Sequence, residues 1–158
     1  MAAASTCRLA RTTRKLIVAL LILQAPIGAR AASWTSSACG DALEHAYGFF
    51  SIRPRASTQG DFNGDGDADF AFLLAGKGKP SRPAIGICLS KEARPLLITS
   101  PPESAAISTK HRGTTYFDFE TEKPGIYELD AISVSDGGWI GASYILRAGV
   151  FVRIIDRD

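Results

Sequence analysis

The sequence predicts a mainly β (α+β) domain: one N-terminal helix packed on an antiparallel meander of about seven short strands, curled or sandwich-like. Between residues 36 and 50, apolar residues recur at spacings near three and four, which indicates one amphipathic helix. Beyond Asp69 the apolar residues alternate or form short runs roughly ten residues apart, as strands do. Turns rich in Gly, Pro and Asp separate those runs, so neighbouring strands are expected to pair antiparallel.

The helix is expected to begin at Ser36 or Ser37, because either hydroxyl can cap it, and to end at Gly48 or shortly after. Its apolar positions are Ala38, Leu43, Ala46, Tyr47 and Phe50. Residues 51–60, in which Pro54 lies between two arginines, are predicted to be a connector.

Seven segments are then predicted as strands. They are residues 70–74, 84–89, 95–99, 114–119, 126–134, 143–146 and 150–155. The turns between them are expected at residues 76–80, 90–94, 123–125, 136–138 and 147–149. Because a sheet of short strands needs cover on its apolar face, the helix is expected to pack on one side of it.

Charge is unevenly distributed along the chain. Residues 1–31 contain five basic side chains and no acidic one, which leaves 13 basic and 16 acidic side chains in residues 32–158. Nucleic acids and anionic membrane surfaces select for clustered Lys and Arg. The mildly acidic remainder therefore argues against both as partners.

The first 31 residues are organised like a secretory signal peptide. A basic stretch precedes the eight apolar residues 16–23, and small residues precede a cleavage site predicted after Ala31. One alternative is a membrane anchor, which needs about 20 apolar residues. A lipoprotein signal directed at Cys39 is a lesser alternative, because that cysteine lies far beyond the apolar run. We expect export to the periplasm or beyond, with residues 32–158 as one domain that contains no membrane span.

Two cysteines, Cys39 and Cys88, remain after Cys7 is removed with the signal. In an oxidising compartment they most simply form one disulfide. It would close a loop of about 50 residues and contribute about 3–4 kcal/mol in the chain-entropy model. Two buried free thiols are the alternative. Zinc is not expected, because His45 and His111 stand in no ligand spacing with either cysteine.

One segment carries a strong chemical signal, Asp-Phe-Asn-Gly-Asp-Gly-Asp-Ala-Asp at residues 61–69. Oxygen-bearing side chains occupy its positions 1, 3, 5, 7 and 9, and glycine occupies position 6, where a calcium loop turns sharply. Calcium takes about six to eight oxygen ligands, and closely spaced carboxylates repel one another without a cation. The predicted ligands are the side chains of Asp61, Asn63, Asp65 and Asp69, the main-chain carbonyl of Asp67, and water.

Calcium is expected in preference to magnesium, because the larger ion coordinates more flexibly and suits a cage of protein oxygens. The loop is no EF-hand: position 12 is Phe72 instead of glutamate, and a strand follows instead of a helix. The missing bidentate ligand indicates weak affinity, about 0.1–1 mM, and a structural role. The alternative is a solvated acidic turn, since Asn-Gly and Asp-Gly are ordinary hairpin dipeptides.

Residues 61–74 resemble the calcium loop and following strand of FG-GAP repeats, which are VCBS-type and integrin-α-like. That family binds calcium through alternate acidic positions of the loop, so the resemblance implies ligands at Asp61, Asn63, Asp65, Asp67 and Asp69. FG-GAP proteins are propellers of many repeats, whereas this chain has one loop, so the resemblance implies the ion and not the propeller. The chain is also similar to short exported bacterial proteins with one such loop and a closing Gly-x-Phe-x-x-Ile strand, here residues 149–154.

No catalytic residue is expected, because the chain lacks a nucleophile elbow, a zinc-binding helix motif and a phosphate-binding loop. Trp139, beside three glycines, is a candidate anchor for a protein partner in the cell envelope, or else it folds back onto the sheet. We therefore expect an exported calcium-binding domain that acts by binding. The alternatives are an inhibitor or immunity protein against a cell-wall hydrolase or toxin, and a hydrolase that uses the ion as Lewis acid.

Overall fold

The computed structural model describes residues 33–78, 81–99, 101, 106–135 and 140–157. This part of the chain contains α1 Ser36–Ala46, β1 Phe50–Gly60, β2 Asp69–Gly76, β3 Ala84–Cys88, β4 Leu96–Thr99, β5 Ala106–Lys110, β6 Thr115–Asp118, β7 Lys123–Ile126, β8 Ala131–Ser135, β9 Ile140–Arg147 and β10 Val150–Arg157. The predicted class, mainly β with one helix, is confirmed. The predicted signal peptide and Trp139 lie outside the described residues.

The strands form a sandwich of two four-stranded antiparallel sheets, with orders β1-β2-β3-β4 and β10-β9-β8-β5. The main core lies between these sheets, because alternate residues of each sheet point inward. The buried members include Leu73, Ile85 and Ile87 from the first sheet and Ile132, Val134 and Tyr144 from the second. No helix in the described residues has the length and hydropathy needed to cross a membrane.

Helix α1 covers the outer face of the first sheet, where Leu43 packs in a second buried cluster with Phe72, Leu74 and Cys88. The helix comes so close that a Cβ on Gly86 of β3 would lie 2.5 Å from Leu43 Cδ2. A disulfide joins Cys39 of α1 to Cys88 of β3, with the two Cα atoms 5.9 Å apart. Because β2 and β3 are covered on both faces, their sequences are continuous apolar runs.

The β6–β7 hairpin covers the outer face of the second sheet. Tyr127, which follows β7, is buried against Ile145 and Ile154, and its ring lies 4.7 Å from that of Tyr116. Its hydroxyl donates a hydrogen bond to the buried carboxylate of Asp156 in β10. Buried Ser143 of β9 donates to the same carboxylate at 2.6 Å, so three polar side chains meet beneath the hairpin.

The connector predicted at residues 51–60 is wrong, because this segment is strand β1, paired with β2. The register shifts between Ile52 and Ser57, and Arg55 within the shift has φ +59°. A bulge of this kind interrupts the alternation of side chains and accommodates Pro54, which cannot donate to a regular ladder. Because of the bulge and the proline, the sequence of this segment does not show the alternation of apolar and polar residues that predicts a strand.

The helix begins at Ser36, one of the two predicted positions, but Thr35 and not a serine is its N-cap, and the Thr35 hydroxyl accepts a hydrogen bond from the Ala38 N–H. The helix ends at Ala46, and Phe50 already belongs to β1, so its side chain packs from the strand. Turn residues 47–49 therefore replace the last turn of the predicted helix.

The strand predicted at residues 126–134 is also wrong in its bounds. Residues 123–126 form β7, and β8 begins only at Ala131. Pro124 fits in β7 because that strand pairs on one side only, and Gly125 lies beneath the Tyr116 ring. β5, Ala106–Lys110, was not predicted, because its polar composition resembles that of a loop.

Candidate metal centre

Residues 61–68 form the loop between β1 and β2, at an end of the sandwich where both sheets contribute. The loop is attached to the core by Phe62, which is fully buried between the sheets. Immediately before the loop, Thr109 Oγ1 of β5 donates to the Gln59 carbonyl at 2.8 Å. The loop therefore starts from a fixed junction between the two sheets.

Asp61 closes the loop on itself. Its Oδ1 accepts the Gly64 N–H at 2.8 Å and its Oδ2 accepts the Gly66 N–H at 3.0 Å. Gly66, at loop position 6, has φ +82°, a conformation that a residue with a side chain adopts at a cost. The sharp turn predicted from its spacing is therefore present.

Asp65 and Asp67 converge on one cationic group, the ammonium of Lys91 in the turn after β3. Lys91 Nζ lies 3.1 Å from Asp65 Oδ2 and 3.1 Å from Asp67 Oδ2. Asp65 Oδ1 accepts the Asp67 N–H at 2.9 Å, which fixes the two residues relative to each other. One positive charge from outside the loop therefore lies against both carboxylates, and it contacts the side chain of Asp67 instead of the main-chain carbonyl that was predicted as the ligand.

Ser90 connects the loop to the same turn. Its hydroxyl donates to Asp65 Oδ2 at 2.7 Å, and its Oγ and carbonyl oxygen accept from Asn63 Nδ2 at 3.1 and 3.3 Å. The Asn63 side-chain oxygen accepts the Asp65 N–H at 3.0 Å. Asn63 is therefore held in place by the turn and by its neighbour Asp65.

Asp69 plays a different part from the other four. It is fully buried, and its Oδ2 accepts the N–H groups of Phe62 and Asn63 at 2.7 and 3.2 Å. Its Oδ1 accepts the Ser90 N–H at 2.6 Å. Burial raises the pKa of this carboxyl, although the hydrogen bonds from Ser90 and Phe62 act in the opposite direction. Its oxygens therefore join the loop to the β3 turn.

The contacts between the loop and the turn after β3 change the pKa values of Asp65 and Lys91. Burial alone would raise the pKa of Asp65, but hydrogen bonds from Ser90, the Asp67 N–H and Lys91 outweigh it and lower that pKa to about 2. The hydrogen bonds to Asp67 and Asp65 raise the pKa of the Lys91 ammonium. The lowered pKa of Asp65 and the raised pKa of Lys91 therefore both favour the charged pair between the loop and the turn after β3.

A further acidic residue, Asp130, supports the loop from the second sheet. Its Oδ2 accepts the Asp61 N–H at 3.1 Å, and its Oδ1 accepts the Arg112 N–H at 2.8 Å. Burial would raise its pKa, but these two hydrogen bonds and the nearby His111 lower it. Asp130 therefore orients the start of the loop from its own position just before β8.

The loop offers hard oxygen donors, which fit calcium better than a softer metal. Among the described residues no three Asp, Glu, His or Cys side chains are gathered as a metal-binding group. Asp69 is fully buried and its oxygens accept main-chain N–H groups, whereas Asp65 and Asp67 face a common cation position at the surface. Asp61 also accepts two main-chain N–H groups, but it is only partly buried, so a cation can still approach its oxygens. The donors that suit a cation are therefore Asp61, Asn63, Asp65 and Asp67.

Ser90, Lys91 and Asp130 were not predicted as site residues, because none of them belongs to the loop motif. Ser90 and Lys91 could have been found from the pairing of two predicted strands. Phe70 of β2 lies opposite Cys88 of β3, and continuing that register brings the residues after Cys88 beside the loop. No comparable signal marks Asp130, which approaches from the other sheet.

Comparison of the chain with protein-family models, with curated proteins and with solved structures finds no match.

Proposed function

We propose that this protein is an exported domain whose loop 61–69 holds one calcium ion as part of its structure, and which acts by binding and not by catalysis. The observation that carries the proposal is the convergence of Asp65 and Asp67 on one cation position, 3.1 Å from the same nitrogen. Two carboxylates so placed suit a divalent cation, and Asp61 and Asn63 add oxygens from the same loop.

Calcium in this loop would stabilise the junction of three segments. The loop joins β1 to β2, the residues after β3 contact Asp65 and Asp69, and Asp130 contacts Asp61 from the second sheet. An ion held by Asp61, Asn63, Asp65 and Asp67 would neutralise the loop that these contacts keep folded. The ion would therefore increase the free energy of unfolding without taking part in a reaction.

Isothermal titration with calcium tests the proposal. The wild-type mature chain is expected to bind one calcium ion with a Kd of about 0.1–1 mM, the range of extracellular calcium modules. Asp65→Asn, which keeps the shape and removes one charge, is expected to weaken binding at least about tenfold. Asp41→Asn removes the same charge from an exposed position in α1 and serves as the control.

Wild-type protein that gives no binding heat at millimolar calcium would overturn the proposal, and so would equal affinity in wild type and Asp65→Asn. Stability provides an independent measurement. At 10 mM calcium, binding of this strength adds about 1.4–2.7 kcal/mol to the free energy of unfolding. Magnesium at the same concentration is expected to add less.

Export is part of the proposal. It is supported by the arrangement of basic, apolar and small residues in residues 1–31 and by a disulfide between Cys39 and Cys88, which is typical of oxidising compartments. Expression of the full chain in a bacterium, followed by fractionation and mass spectrometry, is expected to give a periplasmic or secreted protein that begins near residue 32. Retention of an uncleaved chain in the cytoplasm would contradict it.

A second candidate function is recognition of a protein partner in the cell envelope, such as a hydrolase or toxin that the protein inhibits. It is favoured by an exposed apolar group on the β6–β7 hairpin. Phe117, Phe119 and Ile126 are 42, 43 and 59% exposed, and the two phenylalanine rings lie 5.3 Å apart. Exposed aromatic and aliphatic groups of this kind are typical anchors of protein interfaces.

Cross-linking in intact cells tests this second candidate. A photoreactive residue in place of Phe117 is expected to cross-link to one envelope protein, and Ile126→Ser is expected to reduce that product. Phe49→Ser, which removes an apolar group of similar exposure next to α1, is the control and is expected to leave the product unchanged. Cross-links to no protein, or equal loss in both variants, would count against the hairpin as an interface.

A further inference from the structure

We propose that Lys91 is an internal competitor of calcium: its ammonium bridges Asp65 and Asp67 in the calcium-free protein, and calcium must displace it. Lys91 therefore sets the calcium affinity of the loop. The inference rests on the proposed function, because it concerns the same two carboxylates. It goes beyond that function by assigning a role to a residue outside the loop.

The geometry of the ammonium carries the inference. Lys91 Nζ lies at the same distance, 3.1 Å, from one oxygen of each carboxylate. It thus occupies the shared position toward which these two side chains point. A calcium ion bound to the same oxygens would lie within a few ångströms of that nitrogen, and two positive charges at such a separation repel one another.

The backbone around Lys91 holds it in this position. Ser90, its neighbour, donates its N–H to buried Asp69 and its hydroxyl to Asp65, so the turn is attached to the loop independently of the lysine side chain. Lys91 itself has φ +64°, a left-handed conformation that costs energy for a residue with a Cβ. The turn therefore places this side chain over the loop at some cost in backbone energy.

The lysine side chain is nevertheless able to leave. It is 56% exposed, and the Asp67 side chain that it contacts is 52% exposed. Displacement by calcium therefore needs no change in the core, only rotation of a surface side chain into solvent. The contacts of Ser90 with the loop would remain when Lys91 moves away.

The ammonium of Lys91 also explains how an acidic loop stays folded without calcium. Carboxylates in one short loop repel each other, and the ammonium offsets part of that repulsion. Calcium binding then replaces one cation, the ammonium, with another. The net free energy of calcium binding is therefore less favourable than it would be if the carboxylates had no ammonium beside them. Lys91 is thus expected to weaken calcium binding and to stabilise the calcium-free fold.

The test compares the calcium affinity of three lysine variants by isothermal titration of the mature chain. Lys91→Met keeps the length and removes the charge, and it is expected to bind calcium about tenfold more tightly than wild type. Lys91→Arg keeps the charge and is expected to remain within about twofold of wild type. Lys123→Met removes the same charge from the β6–β7 hairpin and is the control for net charge.

The outcomes separate this inference from the proposed function. Equal calcium affinity in wild type and Lys91→Met would overturn the competition but would not contradict calcium binding by the loop. Binding in Lys91→Met but none in wild type would support the competition and overturn calcium as the natural ligand. No binding in either protein would overturn both.

Thermal unfolding gives a second readout that does not depend on measuring an affinity. Without calcium, Lys91→Met is expected to unfold at a lower temperature than wild type and than Lys123→Met. Saturating calcium is expected to remove that difference. A Lys91→Met variant that equals wild type in chelator would show that the ammonium does not stabilise the calcium-free loop, and would overturn the inference.

Discussion

Individual residues of the 61–69 loop have two distinct chemical roles. Asp69 is fully buried and accepts three main-chain N–H groups, whereas the side chain of Asp67 is half exposed and forms an ion pair with Lys91. Removing a buried acceptor leaves donors without partners, which costs more than removing an exposed charge. Aspartate therefore has two roles in this loop: Asp69 stabilises the fold, and Asp67 is available to bind a cation.

This difference predicts how two substitutions will behave. Asp69→Ala is expected to lower the free energy of unfolding by about 2–4 kcal/mol, because it leaves buried N–H groups unpaired. Asp67→Ala is expected to change stability little in chelator but to weaken calcium binding. Urea unfolding of both variants with and without calcium checks the prediction. Equal destabilisation by the two substitutions in chelator would contradict the assigned roles.

The sequence predicted the five oxygen-bearing positions but not this division between them. Spacing identifies which side chains alternate, and it located the turn at Gly66 correctly. It does not reveal that Ser90 and Phe62 bring their N–H groups to Asp69, because those partners are set by the packing of β3 and by a buried aromatic ring. Roles that depend on long-range partners are not encoded in local spacing.

Among the secondary-structure elements, α1 depends most on a single covalent link. Few residues of this 11-residue helix are buried, namely Cys39, Gly40 and Leu43, and short helices are only marginally stable in isolation. The Cys39–Cys88 disulfide attaches it to the central strand β3, with a sequence separation of 49 residues. The disulfide therefore holds α1 against the outer face of the first sheet.

Replacing both cysteines with serine is expected to lower the free energy of unfolding by about 3–4 kcal/mol, from the loss of loop closure in the unfolded chain. Amide exchange is expected to rise first in α1, because the helix then retains only its packing on β2 and β3. Calorimetry and hydrogen exchange measure the two effects. An unfolding temperature equal to that of wild type, with no added exchange in α1, would show that the bond contributes nothing to the fold.

The β6–β7 hairpin has its own local electrostatic support in the turn at residues 119–122. Asp118 Oδ2 accepts the Thr121 hydroxyl at 2.7 Å, and Oδ1 accepts the Glu120 N–H at 2.9 Å. The Thr121 hydrogen bond is the largest cause of the lowered pKa of Asp118, and burial acts in the opposite direction. Because the folded pKa is lowered, this stabilisation is present above about pH 4 and is lost as the pH falls through the folded pKa.

Thr121→Val is therefore expected to raise the pKa of Asp118 toward its ordinary value. A carboxyl NMR titration of wild type and variant measures the change directly. Glu122→Gln, a charge change in the same turn, is expected to have a smaller effect. An unchanged Asp118 titration in Thr121→Val would rule out the hydroxyl as the cause.

Each helix or strand was predicted correctly where its residues show a regular apolar pattern, and it was missed where that pattern is interrupted. The predicted strands at 70–74, 84–89 and 150–155 are present. One or both faces of each strand are buried, so apolar residues recur regularly in its sequence. β1 was missed because its bulge disturbs the alternation, and β7 because Pro124 and Gly125 signal a turn. Only pairing with neighbours turns such segments into strands.

At the scale of the whole molecule, a buried polar group of Tyr127, Ser143 and Asp156 joins the hairpin layer to the second sheet. Tyr127 and Ser143 both direct their hydroxyls to Oδ2 of Asp156, while Asp156 Oδ1 has no hydrogen-bond partner among the described residues. Burial and the neighbouring carboxylate raise the pKa of Tyr127 far above its ordinary value. The folded protein therefore keeps this phenol protonated.

The raised pKa gives a prediction for global stability at alkaline pH. Below about pH 10 the tyrosine is protonated in both states, and its contribution is complete. Above that pH the unfolded chain ionises first, so the free energy of unfolding falls by up to about 1.4 kcal/mol per pH unit for this group. Urea unfolding between pH 8 and 11 measures the slope.

Tyr127→Phe provides the matched comparison. It is expected to be less stable at pH 8 by about 1–3 kcal/mol, because the buried carboxylate of Asp156 loses a donor. It is also expected to show a shallower decline above pH 10. Slopes that are the same in variant and wild type would mean that other groups cause the alkaline loss.

The sequence by itself determined the mainly β class, the single helix and the spacing of oxygens in the 61–69 loop, because each is recorded in the local periodicity of residue types. The signal peptide, the calcium ion and a partner for Trp139 stay predictions. The tertiary structure alone decided that Ser90, Lys91 and Asp130 surround the loop, and that Asp69 faces inward. These contacts join residues more than 20 positions apart, and only the pairing of strands and the closure of two sheets bring such residues together.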